Sequence, residues 1–316
     1  ANVAPTANNN EQKGGKATTN LEDIHLCAGI HTIECELMGA DEDVLRQCAG
    51  VRCCNSSPTS STWRINANKY KRETQEATEY YISSFQDFST TFAEIVQQSV
   101  ASDYTINRAD FRVDSYENDW YDMLKWNYAL MYGMRIQLKW SKSPRRWDTY
   151  GTTVAMFEGR SNGMGVRTYD RTAIAANRAP TKMRLELQHV GPIQSIEQIR
   201  AAAADWDEII VSSSGCYEQI QEDAAQDVIN ALKLEISSYE HTGTTYSGYG
   251  LLSKERDCIF SAREAVQIGT ALGYSEEVTR QYLKRGTRPM NREWLTQEQL
   301  SEYSRKVAIA LGRFMP

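Results

Sequence analysis

The chain has 316 residues, 41% of them hydrophobic, and a formal charge of −6. That length buries a substantial core in one large or two ordinary domains. No run approaches 18 consecutive apolar residues, which excludes a transmembrane helix. The charge is unevenly spread: residues 135–184 hold eleven of the 35 Lys and Arg but only three acids, a local charge of +8 inside an acidic chain.

Residues 1–20 are polar, with Asn8-Asn9-Asn10 and Gly14-Gly15. They read as a flexible arm, since such a composition buries too little apolar surface to fold alone. No charged-then-apolar leader pattern is visible, and a reducing compartment is the expectation. Residues 21–62 form a Cys-rich acidic segment with His25, Cys27, His31, Cys35, Cys48, Cys53 and Cys54. The spacing fits no standard zinc pattern, so buried thiols are expected there, with zinc or disulfides as alternatives. Asn55-Ser56-Ser57 is a formal glycosylation sequon, which matters only in a secreted chain.

Residues 63–134 read as an N-terminal helical section. Over 70–101, Ala77, Tyr81, Phe85, Phe88, Phe92 and Ile95/Val96 recur at steps of three and four, which predicts one buried helical face. A second helix is predicted over 118–134, with Asn118 or Asp119 capping its start. Residues 135–191 then change period. Arg135 to Trp140 alternates polar and apolar, as do Met183 to Val190, and Thr152 to Phe157 and Gly165 to Tyr169 are β-rich. Three or four strands with short connections predict a small antiparallel sheet, stopped by Gly191-Pro192.

Residues 192–316 read as a C-terminal helical section. Ser195 and Gln198 suggest a capping box, as do Thr296 and Gln299. Ile196, Ile199, Ala203, Trp206 and Ile210 form one helical stripe, interrupted at Ser212–Gly215, and Leu300, Tyr303, Val307, Leu311 and Phe314 form another. Between Ile193 and His241 ten acids face two bases, a charge of −8 that opposes the basic stretch. Arg280, Lys284, Arg285, Arg288 and Arg292 make a second, smaller basic cluster. The fold expected is therefore α+β, mainly α: two helical sections flanking a small basic antiparallel sheet, with a flexible N-terminal arm.

No GxSxG, HExxH or Walker motif is present. Gly159, Gly163 and Gly165 lack the Rossmann spacing. His189 and His241 read as structural, and the acid pairs Asp110/Asp114 and Asp205/Asp207/Glu208 are expected to face water. No catalytic residue, metal ligand or cofactor is assigned. The basic stretch instead points to phosphate, because arginine offers a planar fork to phosphate oxygens and aromatic rings offer stacking platforms for bases. The nucleic-acid contacts expected are Arg135, Lys139, Lys142, Arg145, Arg146, Arg160, Arg167, Arg171 and Arg178, with Trp147 and Tyr169. The function expected is a structural nucleic-acid-packaging protein of viral coat or nucleocapsid type. It would bind RNA or single-stranded nucleic acid through the backbone, associate with other copies of itself without a membrane, and reside in the virion or host cytoplasm. A disulfide-stapled extracellular adhesion or receptor-binding module and an enzyme with an unread site are the alternatives.

Overall fold

A computed structural model describes residues 21–56, 61–66, 84–116, 118, 120–141, 145–146, 153–157, 163–171, 182–220, 223 and 295–315. The strands in chain order are β1 (Leu26–Met38), β2 (Val51–Ser56), β3 (Ser61–Ile65), β4 (Asp103–Ser115), β5 (Arg145–Arg146), β6 (Thr153–Phe157), β7 (Gly163–Asp170) and β8 (Met183–Ile193). They form one eight-stranded sheet in the order β2-β3-β1-β4-β8-β7-β6-β5, every pairing antiparallel. The helices are α1 (Glu42–Gln47), α2 (Phe85–Gln98), α3 (Trp120–Gln137), α4 (Ile196–Ser213) and α5 (Gln297–Phe314).

This overturns the expectation of a mainly helical chain with a small sheet. Half of the described strands come from residues 26–115, where a Cys-rich acidic segment and a helical section were expected, and β1 and β4 run 13 residues each. β1 and β4 are largely covered on both faces, whereas β2 and β3 keep Arg52, Cys54 and Arg64 exposed. A strand covered on one side alternates apolar and polar, whereas one covered on both does not need to. Cys27, Cys35, Cys53 and Cys54 are strand residues and Cys48 ends α1, and none of the five is in a disulfide.

The helices cover one face of the sheet. Alternate strand residues point into that layer: Ile30 and Ile33 on β1, Phe111 and Val113 on β4, Leu185 and Leu187 on β8, and Val166 on β7 are all buried. α5 packs on β1, α3 and α4, while α3 rests on β7 and β8. Phe85, Phe88 and Phe92 of α2 carry the aromatic stripe expected there, and Phe314 of α5 meets Phe85 edge-on with ring centroids 6.5 Å apart. Thr296 and Gln299 do form the capping box that starts α5. At α4 the box is displaced: the Ser195 side chain makes no cap bond, and Gln198 Oε1 accepts instead from the Gln194 N–H at 2.8 Å.

Two further corrections concern the basic stretch. Arg135 to Trp140 is not a strand but the last turn of α3 and its termination. The Trp140 N–H bonds the Arg135 carbonyl and the Lys139 N–H bonds the Ile136 carbonyl, with Lys139 at φ 54°, the double bond of a Schellman ending. Nor does Gly191-Pro192 stop the sheet. Gly191 takes φ 156°, and β8 continues to Ile193, which is paired with Ile106.

Candidate functional site

The sheet face opposite the helices is the unexpected one. Along β4 the residues between the core positions are Arg108, Asp110, Arg112 and Asp114; along β8 they are Arg184, Glu186 and Gln188; along β7 they are Arg167 and Tyr169. Pairing register sets them side by side: Arg112 faces Glu186, Asp114 faces Arg184, and Arg167 faces Glu186 from the other side. β1 adds His31 at an irregularity in its pairing with β4, between Ile30 and Thr32. The polar face is buried too, and buried charges persist only when paired and hydrogen-bonded.

Two sub-clusters satisfy that requirement differently. In the first, Asp114 receives Arg184 through Nε at 2.7 Å and Nη2 at 2.8 Å, and Arg112 through Nη1 at 2.9 Å. All three side chains are sealed, at 1% exposure or less. Burial alone would raise the Asp114 carboxyl, but the two guanidiniums outweigh it and bring its pKa down to about 2.

In the second, Asp110 accepts Nε and Nη2 of Arg108 at 2.6 and 2.8 Å. Glu186 Oε1 accepts Arg167 Nη2 at 2.5 Å and Gln188 Nε2 at 2.9 Å, while its Oε2 accepts the Tyr169 hydroxyl at 3.0 Å and lies 3.2 Å from His31 Nδ1. Here the cations keep contact with water: Arg108 is 23% exposed and Arg167 31%. Burial and the Glu186 charge push Asp110 up to about 7 against the pull of Arg108. Glu186 goes the other way. Burial pushes it up, yet His31 and Arg167 hold it well below the usual carboxylate range. Burial and Arg184 bring His31 down to about 4, so its ring is neutral at pH 7.

His31, Asp110 and Glu186 each offer one ligand atom, and those atoms lie within 4.8 Å of one another. Neutral imidazole and two carboxylates are a donor set for a divalent cation. Both acids sit at the centre of the sheet, and Asp110 and Asp114, expected to face water, are among its most buried side chains. A signal for them is present in the chain. Arg-Ala-Asp-Phe-Arg-Val-Asp at 108–114 and Arg-Leu-Glu-Leu-Gln at 184–188 alternate charge with apolar residues at period two, as a strand does when one of its faces is a charged layer.

The basic residues expected to share a groove are divided. Arg167, Arg171 and Tyr169 belong to the charged face, with Arg167 stacked on the Tyr169 ring at 5.4 Å. Arg135 lies on α3, paired with Asp223 at 3.0 Å. Lys139 is exposed at the end of that helix. Arg145 and Arg146 form β5 at the edge of the sheet. Lys142, Arg160, Arg178 and Trp147 lie outside the described residues, as do the arm 1–20, residues 70–83, the Gly159 end of the glycine loop and the second basic cluster.

No family model and no curated protein matches the chain. Among solved structures, a rolling circle replication initiator protein from Geobacillus stearothermophilus is similar over 57% of this chain and 80% of its own, at 12% identity and a TM-score of 0.33. A likeness of that size is no guide to fold or function. No helix of the described residues is long and apolar enough to cross a membrane.

Proposed function

We propose that the protein binds the phosphate backbone of nucleic acid on the charged sheet face and acts on it with a divalent cation held by His31, Asp110 and Glu186. The observation that carries this reading is the convergence of those three donors within 4.8 Å on three neighbouring strands, ringed by arginines. A cation there polarises a phosphoryl oxygen and lowers the pKa of a bound water, while guanidiniums take the charge that develops on the phosphate. The sheet itself extends the site. Register runs Glu186, Arg167, Ala155 and Arg145 in one cross-strand row toward the β5 edge, so basic backbone positions continue outward from the acids.

Packaging of nucleic acid by a self-assembling coat is the second reading, supported by the basic β5 edge and the +8 charge of residues 135–184. One experiment separates the two. The purified chain is titrated with Mn²⁺ by electron paramagnetic resonance, and a labelled single-stranded oligonucleotide is followed for binding and cleavage with Mn²⁺ or with EDTA. The cation reading expects Mn²⁺ uptake that falls at least tenfold in His31→Gln and Asp110→Asn, together with Mn²⁺-dependent cleavage. Salt-sensitive oligonucleotide binding in EDTA, with no Mn²⁺ uptake in the presence or absence of the oligonucleotide, overturns it in favour of packaging.

A further inference from the structure

The donors of the candidate cation site are already engaged. Asp110 spends both oxygens on Arg108, and Glu186 Oε1 is shared by Arg167 and Gln188. A bare cation would have to displace both guanidiniums from their carboxylates, leaving Arg108 with its longer contact to Glu34 and Arg167 with its ring contact to Tyr169. A bare phosphate drawing those guanidiniums away would leave two buried carboxylates without counter-ions. Either event alone strands charge at low dielectric, which costs far more than the exchange of one partner for another.

Taking this with the cation reading, on which it rests, we propose that Arg108 and Arg167 are exchangeable counter-ions, so that cation and phosphate load together. The cation takes over Asp110 and Glu186 with His31, and the two arginines swing onto phosphate oxygens. Two guanidiniums, Arg108 and Arg167, stand against two carboxyl side chains, Asp110 and Glu186. A divalent cation adds two positive charges, and two phosphodiesters offset them.

The contrast between the sub-clusters supports the assignment. Arg112 and Arg184 are sealed around Asp114 at 1% exposure and serve the fold, whereas Arg108 and Arg167 reach solvent at 23% and 31%. Both have somewhere to move from. Arg108 is shared with a second acid, Glu34, at 3.5 Å, and the buried Nε of Arg167 has no hydrogen-bond partner. The occupant expected is thus a nucleic-acid strand presenting two adjacent phosphodiesters, and the site should discriminate against a neutral backbone.

The test is Mn²⁺ affinity of the full chain, measured alone, with a saturating trinucleotide carrying two phosphodiesters, and with the same trimer linked by uncharged methylphosphonates. The charged trimer is expected to tighten Mn²⁺ binding on the order of tenfold or more, and by linkage Mn²⁺ tightens trimer binding by the same factor; the neutral trimer does neither. In Arg108→Gln and Arg167→Gln, Mn²⁺ alone should bind more tightly and the coupling should shrink. Thermal melts confirm that each variant is folded, with Arg108→Lys as the milder replacement. The His31→Gln protein corrects for Mn²⁺ carried on the trimer itself. Equal Mn²⁺ affinity with and without the charged trimer overturns the exchange while leaving the cation site in place. Absence of Mn²⁺ binding under all three conditions removes the cation site itself.

Discussion

His31 and Asp110 sit on the same charged face and titrate in opposite senses. His31 has its pKa lowered from 6.5 to about 4. Between those values the unfolded chain holds a proton that the native chain does not, so stability rises with pH from 4 to 6.5. Asp110 has its pKa raised from 3.8 to about 7. There the native chain holds the extra proton, and stability falls as pH rises from 3.8 to 7. The two slopes oppose each other over nearly the same window, so their contributions largely cancel between pH 4 and 6.5. Replacing one partner exposes the other. Urea midpoints of His31→Gln should fall with rising pH across this window, and those of Asp110→Asn should climb. If both variants follow the wild-type profile, the burial ascribed to these two groups is wrong. Asp114, held at about 2, acts only below this range.

At the scale of elements, the helix ends show how local chemistry escapes a pattern reading. α2 and α3 both finish in a Schellman arrangement, but with Val100 and Lys139 rather than glycine in the left-handed position, at φ 57° and 54°. Without a glycine to mark the stop, the alternation of Arg135 to Trp140 imitates a strand. Val100 is a β-branched residue in a conformation that crowds its Cβ, and it is 74% exposed, so packing does not compensate. Val100→Gly should therefore stabilise the protein by about 1 kcal/mol; a denaturation midpoint that stays or drops would show that the strain is absent. What was legible follows the same physics. Phe85, Phe88 and Phe92, the stripe of α4 and that of α5 declare themselves because each helix has one wet side. β1 and β4 are largely covered on both faces; the period-two alternation of Arg108 to Asp114 is present in β4, but its second face is a charged layer rather than a wet one. The grouping of His31, Asp110 and Glu186 was illegible for a related reason: they are far apart in the chain and meet only through register across three strands.

For the molecule as a whole, one polar contact ties the last helix to the sheet. The buried Tyr303 hydroxyl of α5 donates to Asn127 Oδ1 of α3 at 2.7 Å, and Asn127 Nδ2 donates to Thr168 Oγ1 of β7 at 2.8 Å. These groups are separated by 176 and 41 residues in the chain. Tyr303→Phe leaves a buried acceptor unsatisfied and should cost about 1–3 kcal/mol, and Asn127→Ala a similar amount. Because the two share one contact, the double variant should lose distinctly less than the sum. Full additivity in a denaturation cycle would mean that helix and sheet are not joined at this point.

The two outer strands of the sheet carry a consequence of their own. An exposed strand edge is a template on which other chains can stack, the first step toward insoluble fibres. β2 is interrupted by a register shift between Cys53 and Asn55, and β5 is only two residues long, both of them arginine. A kinked border on one side and a short cationic one on the other are poor templates. Among the described residues, such borders disfavour edge-to-edge stacking of the sheet. Copies meeting through these two borders would find few unpaired backbone groups in register among the described residues.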